Sequence, residues 1–132
     1  RVYGISLLLD THAFLWFVLN DSQITVDALA AIIEATDDVF LSPASYWEIA
    51  IKVRIGKLSL AEDFLPFMES QLEENNFRIL PISLRHAAIV ATLPMYHRDT
   101  FDRLLLSQAL HEDIPLISRD EVFDRYGVQR IW

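Results

Sequence analysis

Asp10, Glu48, Asp102 and Asp120 share one feature: each stands where an apolar strand or helix begins or ends. Asp10 closes the run GISLLLD, Glu48 lies early in SPASYWEIAIKVRIG, Asp102 opens the leucine-rich part of HRDTFDRLLLSQAL, and Asp120 comes just after IPLIS. If folding gathered them, they would repel: two carboxylates about 4 Å apart cost roughly 4 kcal/mol at an effective dielectric near 20. Three or four together must take up protons or bind a cation. Oxygen-only ligands without cysteine suit Mg²⁺ or Mn²⁺, hard ions that keep water in their shell and bridge to phosphates. Such an ion lowers the pKa of its water, orients it for in-line attack and offsets charge on a scissile phosphate, so the pattern points to phosphodiester chemistry.

Each acid also has a structural reading. Asp10 can cap a helix starting at Thr11, Asp120 a turn starting at Glu121, and either Asp99 or Asp102 can serve the helix after Thr100. Glu48 is harder to explain in that way, because Tyr46, Trp47, Ile49, Ala50 and Ile51 surround it in sequence and a buried charge needs a partner.

The elements that would position these acids alternate along the chain. GISLLLD is a continuous apolar run, the pattern of a strand buried on both faces in a parallel sheet. Residues 11–20 follow as a helix, and 25–36 repeat apolar positions at helical spacing behind a Thr25 cap. DVFLS is a short strand; Ser42 and Pro43 open a helix that Gly56 ends. Another helix covers about 62–75, and FRILPI is a strand closed by Pro81. Residues 84–93 form a helix stopped by Pro94, and 100–112 form the helix that carries Asp102. IPLIS is a strand, 121–126 a helical turn and VQRIW a last strand. Strand–helix alternation predicts a three-layer α/β/α sandwich with a mainly parallel central sheet. In such sheets ligands bind outside the carboxyl ends of the strands, where Asp10 and Asp120 fall. Repeats and linkers are absent, so residues 1–132 read as a single domain.

Composition narrows the function. At 132 residues, 52% of them hydrophobic, the chain is long enough to bury a core without staples. It has no cysteine, which excludes disulfides and thiolate metal sites and makes a reducing cytoplasm the expected home. No apolar run reaches the roughly 20 residues of a membrane span, and no signal-peptide pattern is present. A net charge of −8 argues against nucleic-acid binding through a broad basic face. Nine of the eleven basic residues are arginine, whose fork suits phosphate. Contact with nucleic acid must therefore be local, with something to offset the acids.

In this order, LLLDTHAFLW, SPASYWEIAIKVRIGKL, HRDTFDRLLLSQAL and PLISRDEVFDRYGV resemble the PIN-domain ribonucleases, most closely the VapC-type toxins of bacterial toxin–antitoxin pairs. The resemblance covers essentially the whole chain. It implies a Mg²⁺- or Mn²⁺-dependent endoribonuclease whose metal is held by the matching acids Asp10, Glu48, Asp102 and Asp120. It also implies an RNA substrate, a homodimer, and a cognate antitoxin whose tail fills the active groove. The family's usual HRDPFDR has proline where this chain has Thr100; threonine can cap a helix as proline can begin one.

Asp99 reads as a helix-start acid or a support for the ligands. Thr11 and Ser118, each beside an acid, are either orienters of bound water or structural caps. Arg98, Arg103 and Arg119 read as ion-pair residues before phosphate binders, and His12 and His97 as packing or hydrogen-bonding residues before ligands. Phe14, Trp16, Phe17 and Trp47 read mostly as core. A haloacid-dehalogenase-like phosphatase needs a second aspartate where His12 stands. A response-regulator receiver needs a late lysine, and the last is Lys57. No Gly-rich loop supports nucleotide binding, since the only glycines are Gly4, Gly56 and Gly127. Two other functions fit: a metal-free ribonuclease using His12 and His97, and a non-catalytic domain that binds a cation or a basic peptide.

Overall fold

The computed structural model describes residues 5–132. In chain order the elements are β1 (Leu7–Leu9), α1 (Thr11–Val18), α2 (Val26–Glu34), β2 (Val39–Leu41), α3 (Pro43–Arg54), α4 (Phe64–Glu74), β3 (Phe77–Ile79), α5 (Leu84–Val90), α6 (Thr100–Glu112), β4 (Leu116–Ile117), a 3-10 helix (Glu121–Tyr126) and β5 (Arg130–Ile131). The strands form one sheet in the order β3-β2-β1-β4-β5. Every neighbouring pair is parallel, with Leu9 opposite Leu41 on one side and Ile117 on the other. The expected fold class is met, and the sheet is parallel throughout.

Side chains that alternate along β1 explain the layers. Leu7 and Leu9 point into one core with Phe14 of α1, Ile32 of α2, Ile49 of α3 and Phe67 of α4. Leu8 points the other way, into a core built on Leu105 and Leu106 of α6 and on Phe123 of the 3-10 helix. Leu7, Leu8 and Leu9 are all buried, which is why the sequence reads as an unbroken apolar run rather than an alternating one.

Most helices start on a side-chain cap. Thr25 accepts the Ala28 N–H at 3.0 Å and Ser42 the Ala44 N–H at 3.0 Å, with Pro43 in the first turn where a missing N–H costs nothing. α1, α2 and α5 end earlier than the sequence suggests, whereas α6 ends at Glu112 as expected. The clearest case is α5, which stops at Val90 rather than at Leu93. Beyond it the backbone tightens into short turns, and its carbonyls are taken by a side chain from α6, described below. β1 begins at Leu7, with Ile5 and Ser6 before it outside the strand; Gly4, where the sequence run starts, lies outside the described residues.

Candidate metal centre

β1 and β4 are sheet neighbours from which the chain departs in opposite directions, β2 lying beyond β1 and β5 beyond β4. Such a reversal leaves a crevice outside the carboxyl ends of the two strands. Asp10 is the first residue after β1, its N–H bonded to the Ile117 carbonyl at 3.0 Å. Asp120 follows β4 by way of Ser118 and Arg119. A cavity of about 470 Å³ opens here, and Asp10, Glu48, Asp102 and Asp120 all line it. Thus residues far apart in sequence meet at one edge of the sheet.

Each acid is held by its local structure. Asp10 caps α1, its Oδ1 accepting the Ala13 N–H at 2.7 Å. It is buried, and burial first, then the charge of Asp120, pushes its carboxyl above the usual range, against the pull of Ser118, Ala13 and His12. Ser118 joins two acids, for its hydroxyl hydrogen-bonds Asp10 and accepts the Asp120 N–H at 3.0 Å. Asp120 in turn opens the 3-10 helix, its Oδ1 accepting the Val122 N–H at 3.0 Å. Its Oδ2 lies 2.7 Å from Nε2 of His97. The capping readings of Asp10 and Asp120 are therefore correct as geometry. A cap uses one lone pair of one oxygen, so it aims the carboxylate without exhausting it.

Glu48 finds its partners on its own helix and on α1. Thr11 donates its hydroxyl to Oε1 at 2.8 Å, and Lys52, one helical turn on, places Nζ 2.9 Å from Oε2. Ser45 lies 3.0 Å from the same Thr11 hydroxyl, so a chain of side chains sets the glutamate. The apolar surroundings expected from sequence are only partly there, because Trp47 is 64% exposed and Ile51 points outward.

Asp102 sits in the first turn of α6, where the helix dipole favours a carboxylate. Its carboxyl is nonetheless raised to about 7, by burial above all, then by Asp99, Asp10 and Glu48, with His97 opposing. Burial and neighbouring acids outweigh the dipole. The donor set is the physical test of fit for a cation: four carboxylates line one cavity, burial and neighbouring acids disfavour the ionised form of Asp102, and the donors are hard oxygens suited to Mg²⁺ or Mn²⁺.

Asp99 is the N-cap of α6, accepting the Asp102 N–H at 2.9 Å. Thr100 does not cap; it occupies the first helical position, where a proline would sit. Thr11 and Ser118 are buried and bonded to the acids themselves. Of the arginines, Arg103 departs most from expectation. It is 8% exposed and pairs with backbone carbonyls, not with an acid. Arg119 lies over the Trp16 ring, 4.6 Å from its centroid, at the cavity rim, and Arg98 is exposed. Phe14 is core, whereas Trp47 is not. Lys52 was not singled out in the sequence, although its i, i+4 spacing from Glu48 is a readable signal.

The two-histidine alternative loses support from these contacts. His12 is exposed at the cavity, but His97 is buried with its Nε2 committed to Asp120. A second cluster, His86, His111 and Glu112, also has metal-ligand types close together. Its geometry speaks against a metal. Nδ1 of His86 accepts the Ser83 N–H at 3.0 Å, so the neutral ring carries its proton on Nε2, facing Glu112 at 2.9 Å. That nitrogen has no lone pair to offer.

The sequence profile of the PIN domain family matches residues 7–129. Among curated proteins none matches. Solved structures with the same fold include FitAcB from Neisseria gonorrhoeae, at 23% identity and a TM-score of 0.65, covering 94% of this chain and 95% of that one. VapBC2 from Rickettsia felis, bound to a DNA fragment from its promoter, superposes at a TM-score of 0.68 with 13% identity over 96% of this chain and 97% of that one. VapBC-1 from nontypeable Haemophilus influenzae gives 0.67 with 15% identity over 96% of each.

Proposed function

The chain belongs to the PIN domain family, and from that premise we propose that it is a Mg²⁺- or Mn²⁺-dependent endoribonuclease and the toxin of a toxin–antitoxin pair. One observation carries the nuclease reading. Four acids from four elements line one cavity at the sheet's switch point, and the carboxyl of Asp102 is raised to about 7. A cavity lined by four carboxylates, one of them held from ionising by burial and by its acidic neighbours, suits a dication better than a neutral or anionic ligand.

In this reading Asp10, Glu48, Asp102 and Asp120 hold the metal. Bound there, the ion supplies Lewis acidity toward a phosphodiester and toward water. The chain's own groups do the rest. Asp102 gives up its proton when the site is loaded; Thr11 and Ser118 keep Glu48 and Asp10 from rotating away. Lys52 and Arg119 line the same cavity as the acids and attract the phosphates of an RNA chain that the net charge of −8 would otherwise repel. Residues 1–132 act as one nuclease domain.

The toxin role and a cognate antitoxin are supported by the names of the similar structures, FitAcB, VapBC2 and VapBC-1; a homodimer rests on the family resemblance alone. Exposed apolar side chains such as Val26 and Ile33 on α2, and Trp47 on α3, suit protein partners.

The deciding experiment incubates the purified protein with total RNA under each metal and maps the ends. Cleavage that needs Mg²⁺ or Mn²⁺, stops with chelator and leaves 5′-phosphate and 3′-hydroxyl ends is expected. Activity that survives chelation and leaves cyclic phosphate would instead return the histidines to the centre. Asp10→Asn and Asp102→Asn should each abolish cleavage with the fold intact, since each removes a charge but little volume. Metal binding without cleavage of any RNA would favour a non-catalytic cation- or peptide-binding domain. For the toxin role, induction of the chain alone should slow growth, and co-expression of a small neighbouring reading frame should relieve it.

A further inference from the structure

We propose that His97 and Tyr126 are positioning residues for Asp120: the Tyr126 hydroxyl fixes the His97 ring proton on Nε2, and that N–H holds the carboxylate toward the cavity. The inference rests on the reading of Asp120 as a metal ligand given above.

The hydrogen bonds determine the tautomer. Tyr126 accepts the backbone N–H of His97 at 2.7 Å. The Asp120 carboxylate at Nε2 can only accept, so in a neutral ring Nδ1 has no proton, and the Tyr126 hydroxyl, 3.3 Å away and already accepting the backbone N–H, gives its own proton to Nδ1. Nδ1 is then an acceptor, and the ring proton sits on Nε2, 2.7 Å from Asp120 Oδ2. His97 has no lone pair to offer at Nε2, even though one of its ring nitrogens lies with Asp102 and Asp120 oxygens in a group all within 4.8 Å of one another. It orients a ligand; it is not one.

Packing fixes the ring plane as firmly as the bonds fix its proton. The imidazole stacks on Phe123 at 4.4 Å between centroids and 25° between planes, and on Tyr126 at 5.6 Å and 26°. Phe123 and Tyr126 belong to the 3-10 helix that Asp120 opens, so one buried ring grips that helix at its start and along its length. With Oδ1 held by the Val122 N–H and Oδ2 by His97, the Asp120 carboxylate cannot swing, and each oxygen keeps a lone pair for a cation. A histidine N–H on a ligating carboxylate both orients the ligand and tunes it.

The test titrates Mn²⁺ alone into wild-type protein and four variants by calorimetry, with thermal unfolding as the check on folding. His97→Leu keeps the apolar volume but loses the donor, and should weaken Mn²⁺ binding by about 10–100-fold. His97→Gln presents an amide N–H at similar reach and should recover most of that loss; Tyr126→Phe, which removes one oxygen, should weaken binding in the same direction as Leu. Equal loss in Gln and Leu would mean that the ring only packs, and would overturn the proposal. So would wild-type affinity in a folded Tyr126→Phe, a readout that stands even if His97→Leu does not fold. Long-range ¹H–¹⁵N spectra at pH 8 should show the His97 proton on Nε2; a proton on Nδ1 would refute the assignment. Asp120→Asn separates the two readings: if it binds Mn²⁺ as well as wild type, Asp120 is no ligand and the metal-centre assignment itself fails.

Discussion

Asp102 makes the site's electrostatics measurable without any substrate. Its carboxyl titrates near 7 in the folded chain against 3.8 as the unperturbed value. Between those two values the folded chain binds more protons than the unfolded one, so stability falls as pH rises through that window and levels off above it. Asp10, also raised, acts in the same direction. Metal-free protein should therefore melt at a progressively lower temperature from pH 5 to pH 8, and Asp102→Asn should flatten the curve and melt higher than wild type at pH 8. Mn²⁺ at pH 8 should reverse the order, stabilising wild type and not the variant. A wild-type midpoint that climbs across this window without metal would contradict the assigned protonation. At this scale the acids were legible because strand ends and helix starts announce themselves as changes from apolar to polar. The link from Tyr126 through His97 to Asp120 was not, because it depends on a ring stack and a tautomer set by residues far along the chain. By contrast, the start of α6 was legible: Asp99, read as a helix-start acid, is its N-cap, and Thr100 is its first residue.

Among the elements, α5 and α6 show how one buried side chain decides where a helix ends. The Arg103 guanidinium on α6 donates to the carbonyls of Val90 at 3.0 Å, Leu93 at 3.2 Å, Pro94 at 2.8 Å and His97 at 3.4 Å. Those carbonyls come from the last residue of α5 and the loop beyond it, so Arg103 satisfies the backbone groups a helix end leaves open. It also anchors the segment that delivers His97 to Asp120. This explains why α5 stops at Val90: the sequence announces the stop through Pro94, but the residue that rewards an early exit lies on another helix. Arg103→Met preserves most of the buried stem and removes every donor. It should destabilise the chain by about 3 kcal/mol, the scale of leaving buried carbonyls without partners. Arg103→Lys should recover little, since an ammonium cannot span four carbonyls as a planar fork does. Urea unfolding with an unchanged m-value would measure both; a loss below about 1 kcal/mol for Met would show that water replaces the guanidinium without penalty.

For the whole molecule, the order β3-β2-β1-β4-β5 explains how so acidic a chain gathers four of its acids at one edge of the sheet. The alternation of strands and helices made the layered sheet legible in advance, and the carboxyl ends of its strands gave the edge where Asp10 and Asp120 meet. The outer surface was less legible, because periodicity tells which face of a helix is apolar but not whether a domain covers it; Trp47 read as core and is 64% exposed. Charge leads to a final expectation. The net charge is −8, and the cationic side chains that line the cavity, apart from histidine, are Lys52 and Arg119. If these two carry the RNA backbone contacts, the slope of log affinity against log salt for a single strand is about −1.4. Raising monovalent salt from 50 to 200 mM then lowers kcat/KM by roughly sevenfold, against the 10³-fold or more of proteins that make 6–10 phosphate contacts. Steady-state cleavage of a short single-stranded RNA at fixed Mg²⁺ over that salt range measures the slope directly. A slope near −5 would mean that arginines elsewhere, Arg98 and Arg54 among them, form a track for the substrate that lies outside the cavity, and the picture of a locally recognised strand would have to be given up.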